Sequence, residues 1–267
     1  MIVYKSLLRT AGLLSGLCLI LLSAAIIGGV LLPGAEIAYV SYADINPDIY
    51  LIDVNRQMIH NLTHNPAYDI APAWSPDGQW IAFASDRAGR RAIYVMDRFG
   101  GQVRRLTTGD NPYSDPRWSA DGQRLVFTNL NRANSLYRIN FDGSDEQLLT
   151  DPDNPNASIQ IDLALDPGGL NHASSPDGQQ VAFMTFRSDA WGIYLSPDNS
   201  HQDAHLLVEI GMFTEVPVWS PDSRRMAFIA RRDSSTDLYI IDVDAPGSIP
   251  RRLTFNRAID SSPAWRP

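Results

Sequence analysis

A phrase that recurs at a near-constant step limits this chain more than any other feature. It consists of a short strand ending in Trp, a Ser-Pro-Asp-Gly turn, a bulky-Ala-Phe strand, a strand carrying Ile-Tyr, and a last strand ending in Leu-Thr. One copy reads Ala71-Pro72-Ala73-Trp74-Ser75-Pro76-Asp77-Gly78, then Ile81-Ala82-Phe83, Ile93-Tyr94 and Leu106-Thr107. Units that repeat in this way cannot bury their own apolar faces and must stack on neighbours. Trp74, Trp118, Trp219 and Trp265 hold the Trp position, and Ser174 breaks the series. Phe83, Phe127, Phe183 and Phe228 follow, then Tyr94, Tyr137, Tyr194 and Tyr239, and finally Thr107, Thr150, Val208 and Thr254. The step is 44 to 46 residues, stretching to 56 between Trp118 and Ser174.

Each segment has the composition of a strand packed between sheets. Ile81-Ala82-Phe83-Ala84 alternates bulky and small residues, and Ile93-Tyr94-Val95-Met96 is rich in β-formers. In Ser75-Pro76-Asp77-Gly78, Pro presets φ and Gly accepts a positive φ. Ser223 replaces that Gly in one copy and Ala120 replaces the Pro in another. Four antiparallel strands per unit is the pattern of a propeller blade. A partial copy with Tyr39, Tyr50 and Leu62-Thr63 lacks a Trp strand, and the chain finishes with a lone Trp strand, Ser262-Pro263-Ala264-Trp265. Joined, they make one blade. The expectation is an all-β fold, a β-propeller of five four-stranded blades closed by pairing of its N- and C-terminal strands, so that no sheet edge is left open at the join. Ser174 and the longer step ahead of it, with the insertion Asp151 to Leu170, mark the blade where irregularity is expected; Ile159 to Leu165 or Trp191 would cover the gap.

The Pro-Ala-Trp-Ser-Pro-Asp-Gly phrase with its Ile-Ala-Phe and Ile-Tyr-Val followers resembles the WD-like β-propeller repeat of TolB-type proteins. The resemblance covers residues 37–267 and is one of repeat and fold. It does not extend to the amino-terminal α/β domain of TolB-like proteins or to the usual six blades, and the α/β-hydrolase domain of propeller peptidases has no counterpart. No Gly-x-Ser-x-Gly elbow occurs in the chain.

Lys5 and Arg9 precede Ala11 to Leu32, a run without charge. As a helix it would reach roughly 33 Å, enough for a bilayer core of about 30 Å. A short cytoplasmic N-terminus (1–10), an uncleaved single-pass transmembrane helix (11–32) and a propeller (37–267) on the far, periplasmic or extracellular side are therefore expected, because the basic residues stand on the short leading side. Cys18, the only cysteine, falls inside the apolar run, so the exported part has neither a disulfide nor a thiol nucleophile. Without Lys5 and Arg9, 20 basic residues face 30 acidic ones, a formal −10. That balance argues against nucleic acid and anionic lipid surfaces as partners.

The Trp series is expected to be blade-to-blade packing, so functional groups are sought on loops. Strands that run alternately up and down place Asp69, Asp115, Asn171, His172, Glu215 and Asp260, all just ahead of innermost strands, around the mouth of the central channel. Arg87, Arg90, Arg91, Arg132, Arg187, Arg231 and Arg232 form a rim on the same face. An acidic mouth with an arginine rim suits a basic peptide segment or a cation, although Asp and Asn are also ordinary turn residues. No catalytic set, cofactor fingerprint or metal cluster is expected. His201 and His205 have a metal-pair spacing but lie in a turn, His60 and His64 flank a strand end, and Asn61 and Asn156 begin glycosylation sequons. The leading reading is a membrane-anchored extracytoplasmic propeller that binds a protein or peptide. The alternatives are a small-molecule or carbohydrate sensor, and a propeller glycosidase acting through Asp69, Asp115, Glu215 and Asp260.

Overall fold

The computed structural model describes residues 36–132, 135–150, 172–187, 190–197, 203–210, 215–232, 235–245 and 247–267. The leading segment 1–35 and its proposed helix, the insertion 151–171 with Ile159 to Leu165, His201, and the side chain of Arg232 lie outside them. Among the described residues no helix is long and apolar enough to cross a membrane.

Among the described residues all regular structure is β. The first blade contains β1 (Glu36–Ser41), β2 (Asp48–Asp53) and β3 (Met58–Asn61). The second has β4 (Asp69–Trp74), β5 (Trp80–Ser85), β6 (Ala92–Asp97) and β7 (Arg104–Arg105), and the third β8 (Tyr113–Trp118), β9 (Arg124–Asn129), β10 (Ser135–Asn140) and β11 (Gln147–Leu148). The fourth has β12 (His172–Ser174), β13 (Val181–Arg187), β14 (Ala190–Ser196) and β15 (His205–Ile210). The fifth has β16 (Val218–Trp219), β17 (Arg225–Arg232), β18 (Ser235–Asp242) and β19 (Arg251–Arg252), after which β20 (Asp260–Trp265) returns to the first. Five four-stranded sheets result, and the first has the order β20-β1-β2-β3. The last strand pairs antiparallel with the first, Ile37 opposite Trp265 and Ser41 opposite Asp260.

The repeated residues each have a physical task. Each Phe faces its Tyr across the ladder, as Phe83 does Tyr94 and Phe228 does Tyr239, with ring centroids 5.7 to 6.1 Å apart in four blades; Tyr39 and Tyr50 repeat the pair at 5.8 Å. The Thr of each Leu-Thr accepts the N–H of the residue before the Tyr: Thr63 from Ile49, Thr107 from Ile93, Thr150 from Leu136 and Thr254 from Leu238, at 2.9 to 3.0 Å. That hydroxyl replaces a ladder bond where the short outer strand ends. In the turns, the Ser75 hydroxyl donates to Asp77 at 2.5 Å and accepts the Trp80 N–H at 2.9 Å. Ser119 and Ser175 repeat this, and their hydroxyls hold the carboxyls of Asp121 and Asp177 below the usual carboxylate range. Gly78, Gly122 and Gly178 take φ of 64° to 70°, and Ser223 takes 59° in their place.

Between blades, the indole N–H groups of Trp74, Trp118 and Trp219 donate to the carbonyl just before the Trp position of the preceding sheet. Trp74 bonds Ala264 at 3.2 Å, Trp118 bonds Ala73 at 3.0 Å, and Trp219 bonds Ala173 at 2.9 Å. Apolar clusters fill the first–second, second–third, fourth–fifth and fifth–first junctions. Among the described residues no such cluster joins the third sheet to the fourth. There Ser174 replaces the Trp, and Arg138 stands where Val95 stands one blade earlier. Trp191 does not cover this gap: it packs with Phe186 against the fourth–fifth cluster. The irregular blade falls where the broken series put it.

Candidate functional site

Innermost strands of four sheets converge on one cavity of about 470 Å³, lined by Ala71-Pro72-Ala73-Trp74, Asp115-Pro116-Arg117, Val218-Trp219 and Ser262-Pro263-Ala264-Trp265. Prolines recur here because an inner strand has an edge free of ladder partners, where a missing N–H costs least. At the mouth, the loop from each second strand meets the segment leading into an inner strand. Tyr42 N–H donates to the Ile259 carbonyl, Asp69 N–H to that of Pro47, and Tyr113 N–H to that of Arg91, each at 3.0 Å.

The acidic residues separate into two kinds. Asp69 and Asp260 are 0% and 1% exposed and sit at the junctions between blades. Asp69 is held by Arg87 at 2.8 Å. Asp260 accepts the Ser41 hydroxyl at 2.6 Å and leaves its Oδ2 unpartnered. Burial pushes both carboxyls above the usual range, and for Asp260 the neighbouring Asp237 adds to the rise while Arg252 opposes it. Asp115 and Glu215 are presented differently. Asp115 is exposed in the cavity wall. Glu215 is half-buried and accepts the Ser262 N–H and, at 3.5 Å, its hydroxyl. Burial, and then Asp115, push its carboxyl up despite those bonds. His172 opens β12 and is half-buried, and Asn171 lies outside the described residues.

The arginines make separate contacts. Arg87 lies over the Phe83 and Tyr94 rings at 5.2 and 5.1 Å while it pairs with Asp69. Arg187 lies over Tyr194 at 5.0 Å. Arg90 is exposed and donates to the Asp110 carbonyl at 3.0 Å, and Arg91 is half-buried. Arg132 is exposed. Arg231 is exposed beside Glu209 and Tyr239 in a second cleft of about 270 Å³ between the fourth and fifth blades. Among the described residues no group of three His, Cys, Asp or Glu side chains is placed to hold a metal ion.

Apolar side chains are exposed on the face where the inner strands begin: Tyr42, Ile45, Tyr68 (49% exposed), Leu130, Phe186 and Ile259 (56% exposed). All but Phe186, near the end of β13, lie in loops outside the strand periodicity, where the repeat pattern does not single them out. Their only signal was bulky apolar residues between turn formers, as in Tyr42-Ala43-Asp44-Ile45-Asn46-Pro47.

The raised carboxyls set a pH dependence with a definite sign. A carboxyl whose folded pKa lies above its unfolded value stabilises fully below the ordinary carboxylate range, and that stability is lost as pH rises through the folded pKa. Asp260→Asn keeps an acceptor for Ser41 and removes the ionisation, so its urea midpoint should vary less with pH than wild type. It should also be more stable than wild type near neutrality, where burial disfavours the charged carboxylate. A variant less stable than wild type throughout the pH range would refute this account of Asp260.

The family profile described as the TolB beta propeller domain matches residues 33–160 and 169–267. The Tol-Pal system protein TolB of Francisella tularensis subsp. mediasiatica is 27% identical over 240 residues, 88% of this chain and 52% of that protein. An uncharacterized protein of Agrobacterium fabrum is 31% identical over 156 residues, 57% of this chain and 52% of its own length. The chain thus spans about half the length of these relatives. Among solved structures, Kuenenia stuttgartiensis hydrazine synthase aligns with a TM-score of 0.57 at 14% identity, covering 88% of this chain and 47% of that one, a likeness of fold.

Proposed function

Because the chain belongs to the TolB β-propeller family, we propose that it is a membrane-anchored, extracytoplasmic module that binds a protein or peptide partner at the channel mouth. The observation that carries this reading is a cavity of about 470 Å³ between innermost strands, together with exposed Tyr42, Tyr68 and Ile259 in loops on the face where those strands begin. Interfaces draw their affinity from aromatic and aliphatic side chains seated near an acceptor cavity, with polar groups around them. Asp115 and Glu215 add negative charge at the opening, suited to a basic residue on the partner. The anchor is the uncharged run Ala11 to Leu32 behind Lys5 and Arg9, and the relative named for the Tol-Pal system favours an extracytoplasmic setting. A glycosidase built on Asp69, Asp115, Glu215 and Asp260 is the weaker reading, since Asp69 and Asp260 are buried on partners inside the fold.

The test is a comparison of faces. The full chain is crosslinked to its partner in native membranes before extraction into detergent. Tyr68→Ala combined with Ile259→Ala is expected to lower partner recovery about ten-fold, the effect of losing an interface anchor. Phe99→Ala, in the turn at the opposite face, should leave recovery unchanged. Equal losses from both faces would rule the mouth out as the binding surface.

A further inference from the structure

Ala71, Asp115 and Ser262 occupy the same place in three inner strands, each directly before a proline: Pro72, Pro116 and Pro263. All three have positive φ, 54°, 52° and 51°, a setting that side chains with a Cβ rarely adopt and that a following proline makes harder still. At each the pairing with the next strand slips. A bulge leaves its extra residue outside the ladder, so its N–H is turned away from the sheet. For Ser262 the new acceptor is visible: the Glu215 carboxylate takes that N–H, with the Ser262 hydroxyl at 3.5 Å beside it. Among the described residues no side chain or loop carbonyl takes the N–H of Ala71 or of Asp115, and the strand register skips both residues. All three residues line the central cavity.

We propose that the Ala71 and Asp115 amides are a docking pair for main-chain carbonyl oxygens of an extended peptide in the channel, and that Glu215 occupies the third, equivalent position as a built-in substitute for such an acceptor. This rests on the peptide-binding reading above and names the atoms that do the binding. The Ser262–Glu215 contact shows that the bulge takes an oxygen acceptor. Local charge selects which kind. A ligand carboxylate would meet the Asp115 carboxylate next to the amide it approached, and Glu215 beyond it. Asp115 and Arg117 stand two residues apart on one strand, both in the cavity wall, and their charges offset each other. A neutral carbonyl is therefore the acceptor that fits, and its recognition is independent of the peptide's side chains.

Two measurements on the full chain in detergent micelles test this. In amide-resolved hydrogen exchange without ligand, Ala71 and Asp115 should exchange at least about ten-fold faster than Ser262, which Glu215 protects. Glu215→Ala should bring Ser262 to their rate. Exchange at Ala71 and Asp115 as slow as at Ser262 would overturn the inference whatever binds elsewhere. The capped peptide acetyl-Ala-Arg-Ala-amide, added at millimolar concentration, should then shift the Ala71 and Asp115 amide resonances in wild type, and that of Ser262 as well in Glu215→Ala. Shifts confined to other residues of the mouth, or none at all, would overturn the docking pair. The first of these would leave the wider binding proposal standing, since that is tested by partner recovery.

Discussion

Replacing Trp118 with alanine lowers the stability of the propeller by about 4 kcal/mol, the usual cost of emptying a large aromatic site in a core. Trp118 is buried between the second and third sheets, where its ring lies 5.2 Å from that of Phe141 and its indole N–H donates to the Ala73 carbonyl at 3.0 Å. Both contributions are lost together, and the shape of the site resists collapse because rigid ladders hold its walls. Trp118→Phe separates the two. It retains most of the apolar contact but removes the hydrogen bond to the Ala73 carbonyl, so a loss of about 1.5 kcal/mol is expected. Urea denaturation of the two variants checks the ranking. Near-equal losses would mean that the hydrogen bond, and not the packing, dominates the junction. The same substitution also reaches the mouth, since Asp115 and Pro116 lie on the strand that Trp118 anchors.

Gly100→Ala has the second large effect, a loss of about 3 kcal/mol. Gly100 turns the chain from β6 toward β7 with φ 83° and donates its N–H to Asp97 at 3.0 Å. A Cβ there would lie 2.4 Å from the Leu62 carbonyl oxygen of the preceding blade. That atom belongs to the Leu-Thr corner, where Leu62 N–H bonds Ile49, so it has little room to yield. The cost therefore combines the left-handed backbone, about 1 kcal/mol, with the strain of overpacking. Gly89 supplies the control. Its φ is 92°, yet nothing lies within 4 Å of an added Cβ, and Gly89→Ala should lose only the backbone part, about 1 kcal/mol. If the two variants melt alike, the approach of Gly100 to Leu62 is not a constraint.

Much of the fold was legible in the residues because its determinants are local. Ser75-Pro76-Asp77-Gly78 makes its turn from its own side chains, with Ser75, Asp77 and Trp80 all within six residues. The Phe and Tyr series reports a two-residue period in adjacent strands of one hairpin. The Trp series, broken at Ser174, marked in advance the junction where the described residues form no apolar cluster. Trp191 was the exception. Its position near the gap in sequence said nothing of which face of β14 it occupies, and it packs toward the next blade.

The site was legible only in outline. The carboxylates ahead of the inner strands were recognisable as a set, yet nothing near Asp69 or Asp260 in the chain distinguishes them from Asp115. Ser41, which holds Asp260, is 219 residues away, and Ser262, which holds Glu215, is 47 residues away. A carboxyl's exposure depends on how deep in the wheel its strand begins and on which hydroxyls or arginines of another blade reach it.

From residue order alone one can derive five units, their turns, their stacking aromatic faces and the joining of the last strand to the first, since turn chemistry and side-chain alternation act over a few residues. Only the assembled blades decide which acids are buried, that Ala71, Asp115 and Ser262 leave their ladders before a proline, and that Tyr42, Tyr68 and Ile259 share one face. Those outcomes depend on contacts between segments far apart in the chain, and no local pattern encodes how such segments approach one another.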